Sequence, residues 1–543
     1  MAYSSKNTKS DKSNFNCKDN NQALIIPNTL QTTLLSPENK EALKRIDVEI
    51  NNKVTNSCQV NNVGPANQIF FGTFWCDQLA TLESYGITKD DIEELIKRYY
   101  ILFPWSMQYA KEKTNHNERQ VYFPLFLIYP RNSKEVSKFI NFCRDTGLTV
   151  SIRSGGHCWL PFSIENQVII DTTLLELSEC GQIKIDKKKN LMKVLGGVRQ
   201  GVIYEKLAEF GYMIPGGTCP TVTLFGIILG LGVNVFIRKF GFTCDSVKSL
   251  EIIIADGSLI KASKKHNNDL YRALKGGGNG SFGVVTSLTM NIYPIKRVIY
   301  AEISFNTVDA FAVLTAWFEL CRTGPDNFAG SLINIPGGLD VFLISFVFLE
   351  DSDVQALLQP ILDSAPVISY SQEEMSVLEL DSLEALLTPR FPFVEIGSNF
   401  IPNALSKQAT TEIFNAIAAP PTSDPTKGVA AIQLLSLGGK VSRVPPEASV
   451  ATIAARQSVA WIQAASFWSD QSIDAQMISY AQNLMRIIRK FVPLIAFPNY
   501  PEIGLTPVDY YKENLPFLEK VKAKYDPNDF FHFSQSIPLP SHS

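Results

Sequence analysis

Arg153-Ser154-Gly155-Gly156-His157 is the most informative stretch of this sequence. It follows an apolar run, Leu148 to Ile152, that predicts a β-strand. The two adjacent glycines can take positive φ and let the backbone approach a flat ligand, because no Cβ intervenes. We expect Arg153 to meet a phosphate and His157 to present a nucleophilic ring nitrogen. Taken alone, the pentapeptide would more often be a simple tight turn.

A second stretch, Gly216-Gly217-Thr218-Cys219-Pro220-Thr221-Val222, follows about sixty residues later. Together the two stretches resemble the berberine bridge enzyme-like FAD-linked oxidases, whose flavin is held by a His and a Cys. A neutral imidazole can attack the 8α-methyl group of the isoalloxazine ring, and a thiolate can add at C6 on the neighbouring edge. The pair therefore predicts covalent FAD, linked through His157 and also through Cys219, although an isolated buried cysteine is more often inert.

The resemblance extends from about Trp105 to Leu539. Further runs that carry it are Ala273-Leu274-Lys275-Gly276-Gly277-Gly278-Asn279-Gly280-Ser281-Phe282-Gly283, Leu437-Gly438-Gly439, Asn499-Tyr500-Pro501-Glu502, Tyr510-Tyr511-Lys512-Glu513-Asn514, Val521-Lys522-Ala523-Lys524-Tyr525-Asp526-Pro527-Asn528 and Gln535-Ser536-Ile537. The implied fold is of the vanillyl-alcohol-oxidase type, with a two-part PCMH-type FAD-binding domain and an inserted substrate domain.

The chain divides into four parts by composition and pattern. Residues 1–66 are polar and rich in asparagine, which predicts a loosely ordered extension with one short helix at Pro37 to Ile50. Residues 67–296 form the FAD-binding domain, 297–498 the substrate domain, and 499–543 a C-terminal segment that completes the FAD domain. The long strands and amphipathic helices after Arg297 predict an antiparallel sheet covered by helices, so the fold class is α+β.

Gly278 to Gly283 matches the GxGxxG pattern of Rossmann dinucleotide sites. That motif needs a strand before it and a helix after it. Here Asn268 to Lys275 predicts a helix and Val284 to Leu288 predicts a strand, so we reject a Rossmann site. Either a flavin-packed turn or a plain helix-to-strand turn remains.

The resemblance also implies roles for individual residues. Tyr500 matches the tyrosine that serves the family as catalytic base, and Gln463 matches a polar pocket residue loosely. A phenol is a weak base at neutral pH, so we expect the site to stabilise the phenolate. The cofactor-binding set is Arg153, Ser154, Gly155, Gly156, His157, Gly217, Cys219, Thr221, Val222, Gly226, Gly278, Gly280, Gly283 and Asn499.

The segment after Cys219 departs from the family pattern. Thr223, Phe225, Leu231 and Asn234 stand where small residues are usual. Side chains there would crowd a pyrophosphate, which puts flavin affinity in question.

Composition excludes several classes of protein. The chain has 543 residues and a net charge of −3, with no basic block, which argues against nucleic-acid binding. It has no apolar run of membrane-spanning length and no secretory signal at Met1 to Gln22, so we expect a cytoplasmic protein by default. Its nine irregularly spaced cysteines and five histidines favour neither a disulfide framework nor a metal site. Oligomeric state does not follow from the sequence.

The expected activity is the oxidation of a substrate hydroxyl by hydride transfer to FAD, with O₂ as acceptor and H₂O₂ as product. A small carbohydrate or another alcohol, including secondary metabolites, is the expected substrate. Two alternatives stay open: a dehydrogenase that uses another electron acceptor, and a flavin-binding protein that has lost activity. Val222, which is smaller than leucine, favours the oxidase because in the family this position controls the path of oxygen to the flavin.

Overall fold

The computed structural model describes residues 77–106, 108–175, 182–334, 341–349, 354–387 and 391–541. The expected extension at 1–66 and its helix at Pro37 to Ile50 lie outside the described residues.

The first part of the chain forms a four-stranded sheet that delivers the Gly-Gly-His turn. Its strands, in the spatial order β1-β2-β4-β3, are β1 (Ile101–Leu102), β2 (Phe126–Ile128), β3 (Val150–Arg153) and β4 (Val168–Asp171). The helices of this part are α1 (Lys89–Arg98), α2 (Tyr109–Glu112) and α3 (Ser133–Thr146). Strands β2 and β3 both run parallel to β4. In this order β3 is an edge strand that pairs only with β4. The Gly-Gly-His turn that follows β3 therefore lies at an edge of the sheet.

Helix α3 begins and ends on local signals. Asn132 caps its N-terminus, because the Asn132 side chain accepts a hydrogen bond from Glu135 N. Gly147 ends the helix at φ 75°, a left-handed conformation that glycine adopts readily. Val136, Phe139, Ile140 and Cys143 form its buried face.

The second part is a five-stranded antiparallel sheet in the order β5-β6-β9-β7-β8. Its strands are β5 (Ile183–Asp186), β6 (Leu191–Leu195), β7 (Val247–Ile253), β8 (Leu259–Ser263) and β9 (Val284–Asn291). Its helices are α4 (Gln200–Ala208), α5 (Leu224–Leu229), α6 (Ile237–Phe240) and α7 (Asn268–Leu274). Residues 278–283 lie between α7 and β9, so the GxGxxG match joins a helix to a strand, the reverse of the Rossmann order.

The third part is a seven-stranded antiparallel sheet in the order β13-β10-β12-β11-β15-β16-β14. Its strands are β10 (Arg297–Asn306), β11 (Phe328–Asn334), β12 (Val341–Phe348), β13 (Val367–Ser376), β14 (Phe393–Ile401), β15 (Gly428–Ser436) and β16 (Ala460–Trp468). Its helices are α8 (Ala310–Thr323), α9 (Val354–Leu362), α10 (Val377–Leu387), α11 (Lys407–Ile417), α12 (Lys440–Arg443), α13 (Ile453–Gln457) and α14 (Asp474–Phe491).

One face of this sheet packs against helices in a large apolar core. Side chains such as Ile303, Phe305 and Ile432 meet Trp317 of α8 and Leu484 of α14 there. The predicted α+β class, with an antiparallel sheet covered by helices, is therefore confirmed. The opposite face is left to line a cavity.

The C-terminal segment packs into the core of the second part through α15 (Pro507–Tyr511) and α16 (Leu515–Tyr525). Lys522 is fully buried, and its Nζ donates to the carbonyl oxygens of Ser281 and Phe531 and pairs with Asp526 at 2.7 Å. Buried ions persist only when they are paired and hydrogen-bonded. This cluster ties the segment to the glycine-rich turn at 278–283. No helix in the described ranges has both the length and the apolar character that crossing a membrane requires.

Candidate active site

A cavity of about 890 Å³ lies between the loops of the first two parts and the open face of the seven-stranded sheet. Fourteen of the sixteen residues that the sequence assigns to the site line it: Ser154, Gly155, Gly156, His157, Gly217, Cys219, Thr221, Val222, Gly226, Gly280, Gly283, Gln463, Asn499 and Tyr500. Residues from five separate stretches of chain therefore meet at one cavity. Arg153 and Gly278 do not line it.

The expected phosphate contact of Arg153 is wrong. Its guanidinium is buried and binds Asp171 through Nε at 2.6 Å and Tyr129 Oη at 3.1 Å, and it also donates to the carbonyl oxygen of Glu112. A buried guanidinium needs such partners, and Asp171 on the neighbouring strand supplies the charge. Arg153 thus fixes the start of the Gly-Gly-His turn and does not face a ligand.

Gly278 likewise has a packing role. A Cβ at this position would lie 2.6 Å from the Leu229 side chain, so the residue is small because α5 packs against it. Gly280 and Gly283 of the same turn do reach the cavity.

His157 and Cys219 converge through a third side chain. Thr221 Oγ1 lies 3.0 Å from His157 Nε2 and 3.3 Å from Cys219 Sγ. The two attachment candidates, 62 residues apart in the chain, are therefore both within hydrogen-bonding reach of one hydroxyl group.

The surroundings of His157 keep its ring neutral. Burial lowers the pKa of His157 to about 3, and the neighbouring His116 and Arg199 contribute to the lowering. The His116 ring stacks on it with 4.6 Å between centroids, and His116 N donates to the Gly156 carbonyl. An unprotonated imidazole retains the lone pair that a nucleophile needs. The sequence alone does not indicate a role for His116, because this residue lies in no recognisable motif.

Two buried side chains on α4 hold the loop that carries Cys219. Gln200 Oε1 accepts from Gly217 N at 2.5 Å, and Tyr204 Oη donates to the Gly217 carbonyl at 2.7 Å. A Cβ on Gly216 would lie 2.2 Å from Tyr204 Oη and 2.4 Å from Gln200 Oε1. The close approach of α4 therefore requires glycine at 216. No local signal in the sequence links Gln200 or Tyr204 to this loop.

The glycine surface of the cavity fits FAD. A Cβ added at Gly156, Gly226 or Gly280 would find no protein atom nearer than 3.6 Å, so these positions open onto the cavity. No Lys or Arg is among the lining residues that the structure describes. A pyrophosphate would therefore be bound by backbone N–H groups, as glycine-rich turns allow.

The bulky residues after Cys219 obstruct this surface less than the sequence suggests. Leu231 packs against Gly276, and Asn234 donates to the Pro215 carbonyl, so both side chains point away from the cavity. Thr223 and Phe225 do line it. The Thr223 hydroxyl lies 2.6 Å from Ser154 Oγ and joins the two flavin-facing loops.

The loop that carries Tyr500 is fixed at both ends. Asn499 accepts from Gly232 N and donates to the Gly226 carbonyl, each at 2.9 Å. Glu502 forms a two-pronged ion pair with Arg489 at 2.6 and 2.9 Å. Asn499 therefore positions both this loop and the segment after Cys219.

Tyr500 sits in an aromatic environment. Its ring lies 5.2 Å from Trp461 and 5.4 Å from Phe497, measured between centroids. Burial raises the pKa of Tyr500, and the charge of a Cys219 thiolate would raise it further. The expectation that protein groups stabilise its phenolate is therefore wrong for the described residues, since none of them places a cation at its hydroxyl.

Gln463 belongs to a polar row across three strands. It donates through Nε2 to Gln433 Oε1 at 2.7 Å, and Gln433 donates to Ser331 Oγ at 3.1 Å. Strand pairing places Gln433 directly opposite Gln463. Gln463 Oε1 has no hydrogen-bond partner within the described protein. The row offers neutral donors and acceptors, and Glu118 is the single carboxylate among the described lining residues.

The described ranges contain no group of three or more His, Cys, Asp or Glu side chains that could hold a metal ion.

Comparisons with known proteins find two family models and several relatives that match this chain. A model described as "FAD binding domain" matches residues 124–263, and one described as "Berberine and berberine like" matches 496–538. The chain is 27% identical to the FAD-linked oxidoreductase YgaK of Bacillus subtilis, over 79% of this chain and 94% of that protein. It is 28% identical to tetrahydroberberine oxidase of Berberis wilsoniae, over 76% and 85% of the two chains.

Solved structures share the fold. Physcomitrella patens BBE-like 1 superposes with a TM-score of 0.75 at 23% identity, covering 82% of this chain and 98% of that one. A chitooligosaccharide oxidase superposes with a TM-score of 0.71 at 22% identity, covering 82% and 98%.

Proposed function

Because the chain belongs to the berberine bridge enzyme-like FAD-linked oxidoreductases, we propose that it is an oxidase with covalently bound FAD that acts on a substrate hydroxyl. The convergence of His157 and Cys219 on Thr221, at the wall of the cavity that also holds Tyr500, carries this proposal. When bound, FAD would supply the electron acceptor for hydride transfer, with O₂ as the final acceptor and H₂O₂ as the product.

The flavin-facing residues have separate tasks. His157 and Cys219 are the attachment points, and Gly156, Gly226 and Gly280 let the backbone come close to the cofactor. Asn499, Gln200 and Tyr204 hold the loops in place by hydrogen bonds. Arg153 supports the turn from behind through Asp171.

The substrate-facing residues bind the hydroxyl compound and move its proton. The phenolate form of Tyr500, which burial makes the minor form at neutral pH, takes the proton of the substrate hydroxyl at Oη as hydride leaves the adjacent carbon. Gln463 Oε1, an acceptor with no partner in the described protein, binds a second hydroxyl of the substrate. The aromatic rings of Trp461, Phe497 and Trp159 surround Tyr500 and exclude water.

The lining of the cavity favours a neutral substrate. Its described residues include no Lys or Arg that could pair with an anion, and Glu118 would repel one. Aromatic rings and neutral amides suit both a carbohydrate and a less polar alcohol. We therefore expect a neutral sugar to be oxidised and the matching uronic acid to be rejected.

The test begins with the purified protein. A flavin absorbance spectrum that stays with the polypeptide after acid precipitation, and an intact mass of the chain plus one FAD, would support covalent attachment. Peroxide release with a panel of neutral sugars, sugar acids and alcohols then tests the activity. A colourless protein without FAD would contradict the proposal.

A further inference from the structure

Cys219 to Val222 forms a rigid turn. Val222 N donates to the Cys219 carbonyl at 3.2 Å, and Pro220 occupies the turn position that proline favours. The carbonyls of Cys219, Pro220 and Val222 accept from Gln200 Nε2, Gly201 N and Gln200 N at 3.3, 2.9 and 2.9 Å respectively. Three carbonyls of the turn are thus held by the start of α4. The Thr221 side chain is exposed on the cavity side of this anchored turn.

The Thr221 hydroxyl lies between the two attachment side chains, 3.0 Å from His157 Nε2 and 3.3 Å from Cys219 Sγ. A hydroxyl has one hydrogen to donate and lone pairs to accept with. It can therefore accept from one neighbour while it donates to the other. The two hydrogen bonds can therefore run in either of two directions, from His157 through Thr221 to Cys219 or from Cys219 through Thr221 to His157.

The direction decides whether His157 can react. A neutral imidazole carries one N–H. If Nε2 carries it and donates to Thr221 Oγ1, Nδ1 keeps a free lone pair, and the threonine hydrogen points to Cys219 Sγ. In the opposite direction Thr221 donates to Nε2 and Nδ1 carries the hydrogen, so neither nitrogen has a free lone pair. Only the first direction leaves a nucleophile.

We propose that Thr221 is a positioning residue for FAD attachment, which fixes the reactive tautomer of His157 and orients the sulfur of Cys219 in the same network. This inference rests on the proposed covalent FAD. Nδ1 of His157 then attacks the 8α carbon, and the Nε2 proton is released to solvent, which reaches the exposed Thr221 side chain. Because the hydroxyl donates to Sγ, the S–H of Cys219 takes no part in this network.

The chemistry of both links balances with O₂. Each link replaces one flavin C–H bond and one protein N–H or S–H bond with a single C–N or C–S bond. Two protons and two electrons are released each time, and they reduce O₂ to H₂O₂. Thr221 itself is unchanged at the end.

The test measures attachment and not turnover. Full-length chain produced under riboflavin limitation is mixed with FAD in air, and the flavin-bearing His157 and Cys219 peptides are followed over time by mass spectrometry. Thr221→Val removes the hydroxyl but keeps the shape, and Thr221→Ser keeps the hydroxyl. Thr218→Val is the matched control, since it removes a hydroxyl of the same loop that bonds to neither His157 nor Cys219 in the described structure.

We expect Thr221→Val to bind FAD non-covalently and to form the His157 link at least about tenfold more slowly, because tautomer and orientation are lost. Cys219 should then remain open to alkylation by iodoacetamide. Thr221→Ser and Thr218→Val should attach FAD at the rate of the unchanged protein. Melting temperatures show whether each variant is folded, and Thr221→Ala replaces Thr221→Val if the added methyl group disturbs the turn.

Two results would overturn the inference. If Thr221→Val or Thr221→Ala forms both links at the original rate, Thr221 has no positioning role although the proposed function stands. If the unchanged protein binds no FAD, or binds it without any link, the proposed covalent attachment fails and the role of Thr221 fails with it.

Discussion

The two walls of the cavity are built in different ways. The wall that we propose faces the flavin, the flavin-facing wall, consists of loops at residues 154–157, 217–226 and 280–283, in which glycines and backbone groups face the cavity. The substrate-facing wall consists of side chains on alternate positions of β11, β15 and β16, such as Ser331, Gln433 and Gln463. Backbone geometry thus shapes one wall and side-chain identity the other. A substitution should therefore affect cofactor retention on the first wall and substrate choice on the second.

The sharpest test of the flavin-facing wall is the loss of both attachment residues. We expect His157→Ala and Cys219→Ala to keep FAD covalent through the remaining link, while the double variant releases all flavin on acid precipitation. Intact mass and peptide mapping check this. If Cys219→Ala changes neither the spectrum nor the peptide map, the flavin has only a histidyl link.

Tyr500 lies where the two walls meet, and its replacement should have the next largest effect. Tyr500→Phe keeps the ring but removes the proton acceptor, so flavin content should hold while reduction by substrate slows by roughly two to four orders of magnitude. Stopped-flow reduction under anaerobic conditions measures this. A Phe variant that is reduced at the original rate would remove Tyr500 from the mechanism.

The pH dependence gives a second readout for Tyr500. Burial raises its pKa above the usual value of about 10, so the phenolate is the minor form at neutral pH. The ionised fraction rises as pH rises toward that pKa, and the reduction rate should rise with it. The Phe variant should lack this dependence.

Val222 tests whether the flavin-facing wall also controls access of oxygen. Val222→Leu should slow reoxidation of the reduced flavin by roughly tenfold, a barrier increase of about 1.4 kcal/mol, with reduction by substrate unchanged. Stopped-flow mixing with air-saturated buffer measures it. Slow reoxidation in the unchanged protein would favour the dehydrogenase alternative. In that case the large side chains of Phe225 and Trp159, which line the same cavity, would block the path of oxygen.

The smallest effect is expected on the substrate-facing wall. Gln463→Met keeps the length of the side chain but removes its amide, so KM should rise about fivefold, or roughly 1 kcal/mol, with little change in kcat. Steady-state peroxide release measures both constants, and flavin content should be unaffected. An unchanged KM would mean that Gln463 serves only to pair with Gln433.

Most of the residues that the sequence assigns to FAD line the cavity, because they lie in contiguous runs in which glycines, a proline, His157 and Cys219 stand close together. Their roles toward FAD stay predictions. The exceptions are instructive. Arg153 and Gly278 belong to the right runs, but Asp171 and Leu229, which lie far from them in sequence, determine where they point.

By itself, the sequence determined the α+β class, the strand before the Gly-Gly-His turn and the helix-to-strand order around residues 278–283, since each depends on local periodicity and residue type. That His157 and Cys219 are nucleophiles stays a prediction. Only the tertiary structure decided that Thr221 joins the nucleophiles, that Gln200 and Tyr204 clamp the cysteine loop, and that Ser331, Gln433 and Gln463 form one row. Those relations arise from strand register and loop packing between distant segments. Burial, which sets the protonation of His157 and Tyr500, is likewise a property of the folded chain.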